Sequence, residues 1–200
     1  MNLPNKLTLL RIILVPFVIF FIMLPKAIGL DDPKTITVCA VISAAVFLIA
    51  ALTDLLDGKI ARKHNIVTDF GKFMDPIADK LLVFGAYVAF IYAYDQMSNA
   101  MVWIVSVQLL REFAVSSVRM LASKSDGTVI AAGWPGKVKT VTQCVSVLII
   151  ILEPVILKNI AVFSQYRVLS WISLAVMLFF AIYSGIDYIV SYWKYITPNK

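Results

Sequence analysis

Long apolar segments constrain this chain more than any other feature of its sequence. Six can be drawn in the 200 residues, and each approaches the roughly 20 residues with which a helix crosses the hydrocarbon core of a bilayer. They lie at about residues 8–24, 36–56, 76–94, 99–121, 138–157 and 168–192. Backbone polar groups in lipid must be satisfied within their own segment, so these segments are expected to be helical. The sequence therefore predicts an all-α integral membrane protein with six transmembrane helices.

Composition agrees with a membrane protein. Hydrophobic residues make up 60% of the chain, well above the roughly 45–50% of a soluble domain. The first apolar run contains Arg11 and ends without a small-residue cleavage pattern, so we expect a retained helix rather than a signal peptide. Cys39 and Cys144 fall in separate apolar segments, which indicates buried free thiols. No internal repeat or linker is evident, and residues 1–200 are expected to form a single domain.

The distribution of basic residues predicts an orientation. The formal net charge is +6, but the cations sit mainly at segment ends, which favours contact with membrane lipids over binding of nucleic acid. Six helices place both termini on one side. That side carries Lys6, Arg11, Lys59, Arg62, Lys63, Lys72, Lys80, Arg111, Arg119, Lys124, Lys137, Lys139, Lys194 and Lys200. The other side carries Lys26, Lys34, Lys158 and Arg167. The positive-inside rule then predicts that both termini are cytoplasmic.

Four carboxylates gather where the second apolar segment ends and the third begins, in TDLLDGKIARKHNIVTDFGKFMDPIADK. Asp54 and Asp57 are three residues apart. Asp75 and Asp79 are four apart, so each pair lies along one helix face and the two pairs can converge. Carboxylates this close repel one another unless cations are bound. Oxygen ligands, with His64 as the one nearby imidazole, indicate Mg²⁺ or Mn²⁺ rather than zinc.

The surrounding residues suit a diphosphate substrate. Two metal ions can neutralise a diphosphate and stabilise the oxygen that leaves phosphorus. Gly58, Ala61 and Gly71 remove side-chain bulk beside the carboxylates, so a nucleotide can approach closely. Arg62 offers a guanidinium fork for phosphate oxygens. The simpler interpretation is that the acids face water or pair with neighbours such as Lys80.

These residues match the signature D-x2-D-G-x2-A-R-x8-G-x3-D-x3-D, and in this the sequence resembles the CDP-alcohol phosphatidyltransferase family. The match comprises Asp54, Asp57, Gly58, Ala61, Arg62, Gly71, Asp75 and Asp79. The resemblance implies a six-helix membrane fold, often dimeric, with a polar cavity open to the cytoplasm. It also implies that CDP-diacylglycerol is the donor and that CMP leaves.

The resemblance implies roles for single residues as well. The four aspartates would bind two divalent cations, Mg²⁺ or Mn²⁺. Asp79 would also be the general base that takes the proton from the acceptor hydroxyl, and because a metal-bound carboxylate is a weak base, its position matters more than its basicity. The CDP-lipid site would comprise Gly58, Ala61, Arg62, Gly71 and Thr8.

A second basic set points to the acceptor. Arg111 and Arg119 are eight apart and share a helix face, and Lys137 and Lys139 follow in PGKVKT. Cations beside a site that already holds a diphosphate indicate a second anion, most simply a phosphate on the acceptor. The stretches REFAVSSVR and GKVKT and the opening N-x-L-T-x2-R resemble the bacterial phosphatidylglycerophosphate synthase branch of the family. This implies glycerol 3-phosphate as acceptor, in a homodimer of the bacterial cytoplasmic membrane whose active site faces the cytoplasm.

Several alternatives stay open. Arg111 and Glu112 can instead form an internal ion pair that orders the bundle, and Lys137 and Lys139 can merely set topology or bind anionic lipid. The same chemistry can use phosphatidylglycerol, serine or inositol phosphate as acceptor. A membrane prenyltransferase would normally need more helices and another acidic spacing. A cation transporter would carry ionisable groups toward both membrane faces.

Overall fold

The fold is built from helices alone in the part of the chain that the computed structural model describes, residues 2–63, 69–126 and 133–193. Side chains are described there except at 3, 4, 55–63, 69, 70, 72, 123–126, 161 and 164. The helices are α1 (Leu3–Ala27), α2 (Pro33–Lys63), α3 (Asp69–Ala93), α4 (Asp95–Asp126), α5 (Trp134–Ile156), α6 (Ala161–Tyr166) and α7 (Val168–Ser191). All but α6 are long and apolar enough to cross a membrane. The chain is thus a multi-pass membrane protein, which confirms the predicted six spans.

Helix boundaries differ from the predicted segments where polar residues continue a helix past its apolar part. Helix α4 extends on both sides of the predicted 99–121, and Asp95 in its first turn is favourable beside the positive end of the helix dipole. The short helix α6 was not predicted, because six residues are too few to show a span or a clear period. Arg167, with φ +50°, joins α6 to α7.

Outward-facing side chains of the long helices are largely apolar. Phe17, Phe20, Leu110 and Phe179 are each more than half exposed, as expected for positions covered by lipid rather than water. Helix α1 packs against α2 and α3, α5 packs against α7, and α4 contacts both α3 and α7. The shared core between these helices is apolar and includes Phe47, Phe90 and Met101.

Side-chain contacts fasten the end of the bundle where α4 begins. Lys26 of α1 forms an ion pair with Asp95 of α4. Glu153, near the end of α5, accepts hydrogen bonds of 2.8 Å from the backbone N–H groups of Leu169 and Ser170, in the first turn of α7. Four backbone N–H groups at a helix start lack helical partners, so this buried carboxylate satisfies two of them.

Asp32 stabilises the start of α2 at the same end. Its carboxylate accepts hydrogen bonds from the Thr35 hydroxyl at 2.6 Å and from the Thr35 backbone N–H at 3.0 Å. These bonds favour the ionised form and lower the pKa of Asp32.

Candidate active site

A polar cavity of about 510 Å³ opens at the other end of the bundle, among α2, α3, α4 and α5. Its ionisable lining comprises Asp54, Asp75, Asp79, Lys80, Arg111, Glu112, Arg119 and Lys139. Acids from α2 and α3 thus meet cations from α3, α4 and α5 in one space. The sequence predicted a group of aspartates for metal ions and a group of cations for the acceptor. The structure brings members of both groups to this cavity.

Helix α1 holds two of the three described aspartates. The Thr8 hydroxyl donates to Asp75 Oδ1 at 2.7 Å. Arg11 Nη1 lies 2.7 Å from Asp54 Oδ1, and the Arg11 side chain is 0% exposed while that of Asp54 is 39% exposed. A cation inside a membrane helix needs a partner, and Arg11 has one at the cavity wall. The aspartates of two different helices are therefore positioned by side chains of a third.

The donor chemistry of the acidic wall fits a hard divalent cation. Asp54, Asp75 and Asp79 offer only oxygen ligands, the type that Mg²⁺ and Mn²⁺ prefer. Among the residues that the structure describes, no three acidic, histidine or cysteine side chains form a group that could hold a metal ion. The fourth predicted ligand, Asp57, has its side chain outside the described residues.

The predicted CDP-lipid residues are described only in part. Gly58, Ala61 and Arg62 belong to the last turns of α2, but their side-chain positions lie outside what the structure describes. Gly71 is buried near the start of α3. Thr8, predicted for the same site, contacts the acidic wall through Asp75.

On the basic wall, one carboxylate gathers two cations. Glu112 Oε1 accepts a hydrogen bond from Arg111 Nη1 at 2.8 Å and another from Lys139 Nζ. Arg111 also donates through Nε to the Ala181 carbonyl at 3.2 Å and through Nη2 to the Ser184 hydroxyl at 2.7 Å. The alternative of an internal Arg111–Glu112 ion pair is therefore present in the structure, at the edge of the cavity.

The other two cations of this wall contact neutral groups. Lys80 Nζ donates to Ser116 Oγ at 3.3 Å, and Arg119 Nε donates to Tyr188 Oη at 3.1 Å. Sequence reasoning missed Ser116, although its spacing of three from Arg119 places both on one helix face. Lys137 is exposed and is not among the residues that line the cavity.

Comparison with known proteins gives a consistent result. The model of the family described as CDP-alcohol phosphatidyltransferase matches residues 1–185. A Bacillus subtilis (strain 168) protein named CDP-diacylglycerol--glycerol-3-phosphate 3-phosphatidyltransferase is 37% identical over 195 residues, covering 96% of both chains. Proteins of the same name from Salmonella choleraesuis (strain SC-B67) and Escherichia coli (strain K12) are 34% and 33% identical over 181 residues, covering 88% of this chain and 91% of each relative.

Proposed function

The chain belongs to the CDP-alcohol phosphatidyltransferase family, and we propose that it transfers the phosphatidyl group of CDP-diacylglycerol to sn-glycerol 3-phosphate. The products are phosphatidylglycerophosphate and CMP. The names of the relatives in three bacterial species support this donor and this acceptor.

One structural observation carries the proposal: a single cavity at one end of the bundle has an acidic wall and a basic wall. The acids suit a metal-bound diphosphate. The cations suit an anionic second substrate. A phosphorylated acceptor uses both walls, whereas an uncharged acceptor would give Lys80 and Arg119, which contact neutral hydroxyls, no anion to bind.

The reaction is a displacement at the lipid-side phosphorus of the diphosphate. An acceptor hydroxyl oxygen forms a bond to that phosphorus, and the bond from phosphorus to the bridging oxygen breaks, so that this oxygen leaves with CMP. Asp79 lines the cavity and takes the hydroxyl proton on its carboxylate. A group in this role acts only within hydrogen-bond reach of the proton it accepts.

The family generally uses divalent metal ions. In this chain Asp54, Asp57, Asp75 and Asp79 would hold two of them, Mg²⁺ or Mn²⁺, and bound there the ions would supply positive charge for the diphosphate and for the leaving oxygen. Thr8 and Arg11 keep two of these carboxylates in position through the contacts at 2.7 Å. Hydrogen-bonding partners of this kind orient metal ligands in proteins generally.

We place the cavity on the cytoplasmic side of a bacterial cell membrane, in a homodimer. The cavity lies at the end that contains the N-terminal part of α1 and the C-terminal part of α7, because Thr8 contacts Asp75 and Arg119 contacts Tyr188 there. By the sequence count, that end also carries most of the Lys and Arg residues, which favours a cytoplasmic location. Soluble glycerol 3-phosphate and CMP can then exchange with the cytosol.

The test is CMP release by purified protein from CDP-diacylglycerol with Mg²⁺ or Mn²⁺, offering glycerol 3-phosphate, serine, inositol phosphate or phosphatidylglycerol in turn. Of these four acceptors, we expect only glycerol 3-phosphate to support CMP release. Asp79→Asn should lower the rate by about 10²- to 10⁴-fold, the usual contribution of a general base. Asp95→Asn, the same substitution at the opposite end of the bundle, should leave the rate nearly unchanged.

Two results would contradict the proposal in different ways. Release that depends on another acceptor would keep the chemistry but replace the product. No release with any acceptor would remove phosphatidyl transfer altogether.

A further inference from the structure

The four cations that line the cavity are not equivalent. Arg111 and Lys139 share the Glu112 carboxylate, and the side chains of all three are at most 14% exposed. An anion that approached this pair would also meet the negative charge between them. Its attraction to the two cations would be offset in part by repulsion from Glu112.

In the described part of the chain, Lys80 and Arg119 do not share a carboxylate in this way. Within the described residues neither contacts a carboxylate, and each has a neutral hydroxyl partner, Ser116 or Tyr188. The Arg119 contact uses Nε, and its guanidinium carbon lies 5.2 Å from the centre of the Tyr188 ring. This contact leaves both Nη groups of Arg119 for hydrogen bonds to a phosphate. The Lys80 ammonium likewise has two protons to donate besides the one directed at Ser116.

These groups face one another across two helices. Glu112, Ser116 and Arg119 follow at i, i+4 and i+7, so they form one stripe along α4. Lys80 of α3 contacts the middle of that stripe at Ser116. Arg119 lies seven residues beyond Glu112, roughly 10 Å along the helix axis, so Arg119 is about two turns away from the carboxylate that Arg111 and Lys139 share.

We propose that the phosphate of the acceptor binds to Lys80 and Arg119, with the Ser116 hydroxyl as an additional donor. In this arrangement Arg111 and Lys139 pair with Glu112 at the cavity wall and do not bind this phosphate directly. The inference rests on the proposed function and narrows its acceptor site. Lys80 directly follows Asp79 and both line the cavity, so an acceptor anchored at Lys80 lies in the same space as the proposed base.

The test compares KM for glycerol 3-phosphate with KM for CDP-diacylglycerol in Lys80→Gln and Arg119→Gln. Each variant loses a charged donor to phosphate, so KM for glycerol 3-phosphate should rise about tenfold or more. KM for CDP-diacylglycerol should change by less than about twofold, because losing a contact to one substrate raises the KM of that substrate and not of the other. Lys34→Gln, the matched loss of an exposed lysine at the opposite end of the bundle, should change neither KM.

A second readout separates binding from folding. Inorganic phosphate should inhibit the wild type competitively against glycerol 3-phosphate, and its inhibition constant should rise in parallel in both variants. Lys80→Arg and Arg119→Lys keep the charge and should recover part of the affinity.

The outcomes distinguish the inference from the proposed function. A rise in KM for CDP-diacylglycerol would assign the two cations to the diphosphate and overturn the inference. Unchanged KM values for glycerol 3-phosphate, or an equal rise in Lys34→Gln, would overturn it too. If the wild type releases no CMP with glycerol 3-phosphate, the proposed function fails, and the acceptor site fails with it.

Discussion

Replacing Glu112 with glutamine should destabilise the fold, because one carboxylate pairs with two cations. Glu112 Oε1 accepts from both Arg111 Nη1 and Lys139 Nζ. The three side chains are 14%, 12% and 9% exposed, so water screens them little. In Glu112→Gln two cations remain at the cavity wall with no carboxylate between them.

The size of the effect follows from this burial. Removing one partner of a buried ion pair typically costs about 3–5 kcal/mol. The glutamine amide oxygen can still accept one hydrogen bond, so we expect the free energy of unfolding to fall by about 3 kcal/mol, the lower end of that range. Removing a cation as well should relieve the repulsion, so Glu112→Gln with Lys139→Gln should be more stable than the sum of the two single changes by about 1 kcal/mol or more.

The assay is equilibrium unfolding of the purified variants in mixed micelles. Asp95→Asn is the matched control, because its ion pair with Lys26 is exposed, 82% at Asp95, and exposed pairs contribute less than about 1 kcal/mol. A loss in Glu112→Gln no larger than in this control would refute the reasoning. Strict additivity in the double variant would show that Glu112 and Lys139 do not interact.

Three further predictions follow from the contacts of the described residues. Thr8→Val removes the hydroxyl that contacts Asp75 and should raise the Mg²⁺ concentration needed for half-maximal rate by about 10- to 100-fold; an unchanged metal titration would contradict it. Glu153→Ala removes the acceptor of the first N–H groups of α7 and should lower the free energy of unfolding by about 2 kcal/mol or more, with little change in rate per folded molecule. Gly185→Ala places a methyl group 3.0 Å from Arg111 Cγ and should cost about 1 kcal/mol or more in the same unfolding assay, instead of the gain usual for this change in a helix.

The sequence was sufficient for the spanning helices and for the acidic wall. Segment length and apolar content decide whether a helix can cross a bilayer, and these are local properties. The spacings around Asp54 and Asp75 are local as well, so their meeting at one boundary could be predicted. Helix ends could not, because polar residues such as Asp95 continue a helix without adding to the apolar pattern.

Contacts between helices were beyond the reach of sequence patterns. Arg11 stood out as a charge inside an apolar run, which signals that it has a partner, but the choice of Asp54 depends on how α1 packs against α2. Lys139 was predicted to bind the acceptor, whereas its contact with Glu112 required the relative position of α4 and α5. The same holds for Lys80 and Ser116, which lie 36 residues apart.

Transfer to glycerol 3-phosphate can be followed through the phosphate of the acceptor itself. Purified protein is given CDP-diacylglycerol and glycerol 3-phosphate labelled in its phosphate group, and labelled lipid and CMP are counted together. We expect one labelled phosphate in the lipid product for each CMP released, because the acceptor enters the product with its phosphate intact. CMP release without label in the lipid would show that glycerol 3-phosphate is not the acceptor.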